Sequence, residues 1–402
     1  MKEQTVKWFQ KEGKKGLLDN SFQLTAKFYV AFIGFLATIT TVRFLTETQF
    51  AVYTTFFSIP VVFGLIQTGL GISAIRTLKK DQNCYTSILV YSSLLSAILI
   101  ILNLLFSPVW TNYFSGMNWF YTIPLSLIIF GNFTITDNIL HAQKKFKELA
   151  IINSIIKTFS VVGVIVLALI DQLFALIIIE SSFVVLKTLS IWYYERDLID
   201  WSKTQFSDFK QVLRRTPKSS IWFFSQFYLQ ANVFISSLLL TSSAVSTLGA
   251  LNIFGQPYMI TATALASTSI VQTKKNRYMS FILGFLLLLG GTIVINVAPQ
   301  FWTQILTGGK YSLIGYILPY TVGLIGIGLL HIFTAIRLNQ DLLPWETIVI
   351  ATIHVALLIG LLTTGTGSLT HVVYVTLFTG GLGFLVTVKY GVNYLRHNFK
   401  MI

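Results

Sequence analysis

The stretch FAVYTTFFSIPVVFGLIQTGLGISA (50–74) contains 25 residues without a charged side chain, and it ends just before Arg76, Lys79 and Lys80. A bilayer core about 30 Å thick is crossed by about 20 apolar residues in a helix. The stretch is therefore long enough to span a membrane. The cations that follow it indicate a cytoplasmic end, because Lys and Arg concentrate in cytoplasmic loops. This pattern, an apolar run followed by a cationic turn, recurs along the chain and decides the fold.

The composition of the whole chain agrees with a membrane protein. Of its 402 residues 54% are hydrophobic and only 11% are charged, and the mean hydropathy is +0.70. Soluble domains carry about 25% charged residues because their surfaces face water. The net charge of +14 does not indicate nucleic-acid binding, because the cations lie in short loops between apolar runs. We expect a chain that is solvated by lipid.

Other classes of protein leave no signal in the sequence. The single cysteine, Cys84, excludes an intramolecular disulfide and has no metal-site spacing. The first twenty residues are polar and lysine-rich without a cleavage pattern, so we expect no removable signal peptide. No Walker loop, HExxH motif or Ser/His/Asp arrangement is present, so we expect neither a metal, a cofactor nor ATP hydrolysis.

The apolar runs predict an all-α polytopic membrane protein with about twelve transmembrane helices. Each run is about as long as one bilayer crossing requires. The predicted spans are 22–43, 50–74, 84–106, 119–140, 149–170, 173–194, 218–240, 245–270, 279–299, 313–335, 345–365 and 369–390.

The distribution of cations predicts the orientation. With the N-terminus inside, 24 of the 29 Lys and Arg residues fall in cytoplasmic segments, and only Arg43 and Lys310 fall outside. One missed span would invert every later loop and destroy this asymmetry. We therefore predict that both termini are cytoplasmic and that the protein is a multi-pass protein of the cell membrane.

The longest predicted cytoplasmic connection lies at the middle of the chain and divides it into two halves. Pro60 in the second span and Pro257 in the eighth lie 197 residues apart, and each span runs into a cationic turn. A parallel repeat of this kind implies a pseudo-twofold axis along the membrane normal, with a cleft between two lobes. The alternative is two unrelated prolines that kink their helices. The predicted segments are an N-terminal cytoplasmic segment 1–21, a six-helix N-lobe 22–194, a cytoplasmic linker 195–217, a six-helix C-lobe 218–390 and a cytoplasmic tail 391–402.

Several segments resemble one known family. In TVRFLTETQFAVYTTFFSIPVVFGLIQTGLGISAIRTLKK (41–80), Arg43 ends the first span, and Phe50 and Tyr53 match an aromatic-Gly-x-Tyr pattern in which Ala51 replaces the glycine. Segments 139–169, 245–272 and 306–330 add weaker similarity in the same order. The chain thereby resembles the polysaccharide transporters of the multidrug/oligosaccharidyl-lipid/polysaccharide flippase superfamily.

The resemblance implies a flippase that moves an oligosaccharide on a polyprenyl pyrophosphate across the membrane by alternating access, for the assembly of an exopolysaccharide, capsule or O-antigen-type polymer. Its partners would be this lipid-linked oligosaccharide, membrane lipids and other polysaccharide-assembly proteins. One alternative is a membrane-embedded oligosaccharide polymerase or glycosyltransferase, although the predicted exterior loops are short and poor in charge. Another alternative is a cation-coupled multidrug exporter. The family often carries an Asp in its seventh span, where this chain has only Gln230 and Asn232.

Ionisable residues inside the spans are the candidate site residues, because such residues tend to face a cavity or a partner. Lys27 either extends to the interface or lines the cleft. For a pyrophosphate substrate, Lys27, Arg43, Lys157 and Lys187 are the candidate cationic contacts. Glu180 lies two turns from Lys187 on the same helix face; it either forms a structural network with the lysines or binds a coupling ion.

The prolines and glycines of the second and eighth spans are candidate hinges, because such residues let helices bend. The set comprises Pro60, Gly64, Gly69, Gly71 and Pro257.

Overall fold

A computed structural model describes residues 25, 28–114, 116–143, 145–271, 274–340, 342–364 and 367–399. Within these ranges the regular structure is helical. The α-helices are α1 Phe28–Phe44, α2 Glu47–Ser58, α3 Val61–Leu78, α4 Tyr85–Leu105, α5 Ser107–Tyr113, α6 Thr122–Phe133, α7 Asp137–Ala142, α8 Phe146–Leu169, α9 Leu173–Tyr194, α10 Phe206–Ser220, α11 Tyr228–Leu239, α12 Ser242–Val271, α13 Lys274–Val297, α14 Pro299–Thr307, α15 Ile314–Asn339, α16 Trp345–Thr363 and α17 Leu369–Phe399.

The long helices make the protein a multi-pass membrane protein. In the described part of the chain, seven helices are long and apolar enough to cross a membrane, and an eighth is added if Phe281–Val297 and Pro299–Thr307, bent by 91°, form one span. Every predicted span overlaps a helix, but the first, fourth and seventh fall on shorter apolar helices. The number twelve, the orientation of the termini and the pseudo-twofold axis stay predictions.

The fourth predicted span, 119–140, is broken rather than continuous. Helix α6 ends at Phe133, and Thr134 is extended before the short α7 begins. The break exposes backbone groups that an unbroken helix would satisfy internally. Ser92 of α4 accepts a hydrogen bond from the Ile135 amide at 3.3 Å and so satisfies one of them. The polar side chains near this break explain the weak apolar signal of the span.

Two predicted segments contain helix, and their boundaries stay predictions. The second half of the linker 195–217 lies in α10, which packs along α3. Helix α10 is amphipathic, burying Phe209 and Val212, and its cations hid it from a search for apolar windows. The tail 391–402 is likewise helical as far as Phe399, since α17 continues past the predicted end of the last span. The segment 1–21 lies outside the described residues.

The helices form two packed groups that meet along a seam. In the first group α8 packs on α9, α9 on α6 and α6 on α4; in the second, α15 packs on α17, α12 and α13. Close approach of α15 and α17 needs small residues, since a Cβ on Gly326 would lie 1.8 Å from the carbonyl oxygen of Gly380. Contacts of α2 with α11 and α12, and of α3 with α10, join the two groups.

Candidate functional site

Three side chains from three helices form a polar cluster inside the first group. The Lys157 Nζ of α8 lies 3.6 Å from the Glu180 Oε1 of α9. The Tyr53 hydroxyl of α2 donates a hydrogen bond of 2.8 Å to Glu180 Oε2. The Lys157 and Glu180 side chains are 28% and 19% exposed. The contact with Lys157 agrees with a structural network, one of the two alternatives for Glu180, and the carboxylate also has a phenol donor.

The helix arrangement fixes the cluster. Helices α8 and α9 are antiparallel neighbours, and the turn between them places Asp171 at φ 60°. The Tyr53 ring packs edge-on against Phe57, with ring centres 4.9 Å apart, which holds the phenol in place. Helix α1 covers the lysine stem, because a Cβ on Gly34 would lie 3.4 Å from Lys157 Cε. Four helices thus define the position of one ion pair.

Lys187 extends the positive charge of this region along α9. It is half-buried and lies seven residues after Glu180, which returns it to nearly the same helix face. Lys157 and Lys187 therefore both belong to the pair of helices that carries Glu180. Lys27, the remaining candidate lysine, lies outside the described residues.

Arg43 lies elsewhere, at the seam between the two helix groups. Its Nη2 donates to the carbonyl of Gln304 at 3.3 Å and to the carbonyl of Ile305, both near the C-terminal end of α14. Lys310 makes the reverse connection, because its Nζ donates to the carbonyl of Leu45 just after α1. Burial lowers the pKa of Lys310, against an opposite effect of the nearby Glu47. We call this pair of contacts the exterior latch.

Two of the candidate hinges form close packing contacts with the second helix group. A Cβ on Gly64 would lie 2.3 Å from Phe223 Cε2, and a Cβ on Gly69 would lie 2.0 Å from Ser220 Oγ. Any side chain at these positions would collide with the opposite helix. Gly64 and Gly69 therefore permit the approach of α3 to α10 and to the turn that follows it.

Hydrogen bonds continue this contact toward the predicted cytoplasmic end. Ser73 Oγ donates to Ser219 Oγ at 3.0 Å, and Arg215 Nη1 donates to Thr77 Oγ1 at 3.0 Å. Together with the glycine contacts they form what we call the inner seam. Both the inner seam and the exterior latch are closed in this structure.

The other candidate hinges differ in their surroundings. Pro60 stands between α2 and α3, where the helix is interrupted at Ile59 and Pro60. Gly71 lies within the continuous α3. Pro257 lies within α12, which is continuous from Ser242 to Val271. Ile59 and Pro60 keep right-handed helical dihedral angles, so Glu47–Leu78 forms one span of 32 residues through Pro60.

A buried polar chain in the second helix group was missed as a unit by the sequence analysis. His354 Nε2 lies 2.8 Å from Asn232 Oδ1, and its Nδ1 lies 3.0 Å from Thr379 Oγ1. Asn232 Nδ2 donates to Thr376 Oγ1 at 3.0 Å. All four side chains are fully buried. They come from α11, α16 and α17, so only the spacing of Thr376 and Thr379 on one helix face was visible in the sequence.

Comparison with solved structures assigns the architecture. The lipid II flippase MurJ, in an inward closed conformation, aligns with a TM-score of 0.70 at 16% identity over 92% of this chain and 87% of that one. A multidrug resistance MATE family transporter of the MOP superfamily, in an outward-facing conformation, aligns with a TM-score of 0.59 at 15% identity over 96% and 97%. The chain has the fold of this transporter superfamily.

A third solved structure is also similar to this chain. A MOP superfamily transporter from Pyrococcus furiosus aligns with a TM-score of 0.52 at 15% identity over 92% of this chain and 95% of that one. Its binding pocket is described as having reverse polarity, which suggests a different function for that transporter. No protein-family model and no curated protein matches the chain. The matched structures are transporters rather than enzymes.

Proposed function

We propose that the protein is a flippase for a lipid-linked oligosaccharide, of the polyprenyl pyrophosphate type, and that it belongs to the polysaccharide transporter family. The observation that carries the proposal is a partly exposed lysine inside the membrane-spanning region, Lys157, which lies 3.6 Å from the carboxylate of Glu180. Lys187 lies seven residues after Glu180 on the same helix. Lysines within a span are costly unless they serve a partner, and a pyrophosphate group is such a partner.

Two properties of the cluster support an anion site. Lys157 is partly exposed and lies 3.6 Å from its carboxylate, which is longer than a direct charge-assisted hydrogen bond. A phosphate oxygen offers the ammonium group a stronger contact at shorter range. The Tyr53 hydrogen bond holds Glu180 in place when Lys157 turns toward the substrate. Lys157 and Lys187 therefore bind the head group, with Lys27 and Arg43 as further contacts along its path.

The closed seams support transport by alternating access. The inner seam joins α3 to α10, and the exterior latch joins α1 to the region of α14 and Lys310. Opening the inner seam admits the head group from the cytoplasm, and opening the exterior latch releases it. The cell membrane, and contact with other polysaccharide-assembly proteins, follow from the same proposal.

The test measures flipping of a fluorescent polyprenyl pyrophosphate oligosaccharide by protein in reconstituted vesicles. Loss of one charge-assisted phosphate contact weakens binding by about tenfold or more, so Lys157→Ala and Lys187→Ala should slow flipping at low substrate concentration. Lys203→Ala is the matched control, because Lys203 is 57% exposed and pairs with Asp200 away from the spans. Unchanged flipping in both test variants would remove the two lysines from the site.

The second candidate function is a cation-coupled multidrug exporter. It is favoured by the carboxylate of Glu180 within a span and by the similarity to MATE transporters. Deleting the gene separates the two functions in cells. A flippase predicts accumulation of lipid-linked repeat units, whereas an exporter predicts increased drug sensitivity without that accumulation.

A further inference from the structure

The two cations on the predicted exterior side meet at one place in the structure. Of 29 Lys and Arg residues, only Arg43 and Lys310 were assigned to exterior loops. They are separated by more than 260 residues, yet both lie in the exterior latch. Cations are depleted on this side of membrane proteins, so their meeting at the seam points to a function.

Each cation caps the end of a helix in the opposite group. Arg43, near the end of α1, binds the carbonyls of Gln304 and Ile305 in the last turn of α14. Lys310, shortly after α14, binds the carbonyl of Leu45 at the end of α1. Carbonyls at a helix C-terminus carry partial negative charge, and the Gln304 carbonyl also accepts a hydrogen bond from the Gly308 amide at 3.0 Å. The latch therefore gives both cations neutral acceptors, at the end of α14 and just after α1.

Neutral carbonyls are weak competitors for these cations. When α1 and α14 separate, Arg43 and Lys310 lose their carbonyl partners together and flank the opening. A phosphate group offers each of them an ionised acceptor, so that the donor and the acceptor of each hydrogen bond would both carry charge. Glu47 is the neighbouring carboxylate, and its attraction for Lys310 does not offset the effect of burial on that lysine.

We propose that Arg43 and Lys310 form an anion site at the exterior end of the cleft, which takes the phosphate groups of the transported lipid as the latch opens. The site binds the anion only in the open state, so the anion shifts the population toward that state. The identity of the anion rests on the proposed function, whereas the latch itself does not.

The experiment measures the width of the latch in the full-length protein in lipid nanodiscs. Spin labels are placed at Phe44→Cys and Phe301→Cys, because both side chains are more than half exposed. The background carries Cys84→Ser, since Cys84 is the only native cysteine. Distances between the labels are recorded during titration with a polyprenyl pyrophosphate that carries no sugar, and with the matching polyprenol.

We expect the pyrophosphate lipid, and not the polyprenol, to raise the population with long label distances. Arg43→Gln and Lys310→Gln should open the latch partly without ligand and raise the half-saturating concentration by about tenfold or more. Arg43→Lys keeps the charge and should respond within a few-fold of the wild type. Arg196→Gln removes an exposed arginine from the predicted opposite side and serves as the matched control.

Two results would overturn the inference. One is a wild-type half-saturating concentration in the Gln variants, which would make the cations helix caps only. The other is an equal response to the uncharged polyprenol. If the latch opens with pyrophosphate as expected but reconstituted protein flips no lipid-linked oligosaccharide, the anion site stands and the proposed function fails. If flipping occurs without any latch response to pyrophosphate, the function stands and the site fails.

Discussion

The ion pair of Lys157 and Glu180 predicts a measurable energetic coupling. At the observed 3.6 Å, an effective dielectric constant near 20 gives an attraction of about 5 kcal/mol. The side chains are 28% and 19% exposed, so partial desolvation and residual water reduce the net value. We expect a coupling free energy of about 1–2 kcal/mol, between the values typical of exposed and of fully buried pairs.

A double-mutant cycle measures this coupling. Glu180→Gln, Lys157→Met and the double variant are unfolded in mixed micelles containing sodium dodecyl sulfate and followed by tryptophan fluorescence. Each single variant leaves one charge of the ion pair without its counter-charge, although Glu180 keeps the Tyr53 hydrogen bond, whereas the double variant leaves neither charge. The double variant should therefore lose about 1–2 kcal/mol less free energy of unfolding than the two single variants together. Tyr53→Phe removes the charge-assisted hydrogen bond and should cost a similar amount.

The pair of Lys203 and Asp200 is the matched control for that cycle. Its charged atoms are closer, at 3.0 Å, but its side chains are 57% and 45% exposed. If burial decides the energy, this pair should couple more weakly than Lys157 with Glu180. An equal or stronger coupling in the control pair would refute the reasoning, because distance alone would then set the energy.

Three further predictions follow from the packing and the topology. Gly69→Ala should prevent closure of the inner seam and impair flipping, because its Cβ would lie 2.0 Å from Ser220 Oγ, whereas Gly290→Ala, with open space at its Cβ, should not. His354→Leu should lower the free energy of unfolding by about 2–4 kcal/mol, since Asn232 and Thr379 lose their partner. The control is Thr352→Ala, which removes an exposed hydroxyl on the same helix, and a loss in His354→Leu no larger than in this control would contradict the prediction. In a Cys84→Ser background, Ser207→Cys should react with an impermeant thiol reagent only from the cytoplasm, and Asn112→Cys should react only from outside. The reverse labelling pattern would mean that the predicted topology is inverted.

Hydropathy located the helices well where the bilayer itself sets their length. The predicted span 173–194 coincides with α9, and 345–365 differs from α16 by two residues. Hydropathy did not find α10, because that helix is stabilised by a half-buried amphipathic face and carries too many cations for an apolar window. Periodicity rather than mean hydropathy was the signal that would have found it.

Side-chain partners were predictable only between neighbouring helices. Glu180 and Lys157 belong to adjacent antiparallel helices, so a network between them followed from the order of the spans. The latch contacts join residues more than 260 positions apart, and no local pattern indicates them. Gly64 and Gly69 were interpreted as hinges because glycine lets a helix bend. The sequence does not show that Phe223 and Ser220 lie too close to leave room for a side chain at these two positions.

The inner seam and the exterior latch close through different kinds of contact, and this difference bears on the direction of transport. The inner seam closes through glycines, hydroxyls and one arginine bound to Thr77, so its contacts depend mainly on shape. The exterior latch closes through two cations on backbone carbonyls. A phosphate group can replace the carbonyls of the latch, but it cannot replace the tight packing of Gly69 against Ser220. An anion inside the cleft would therefore weaken the exterior closure selectively, which favours release to the outside over return to the cytoplasm.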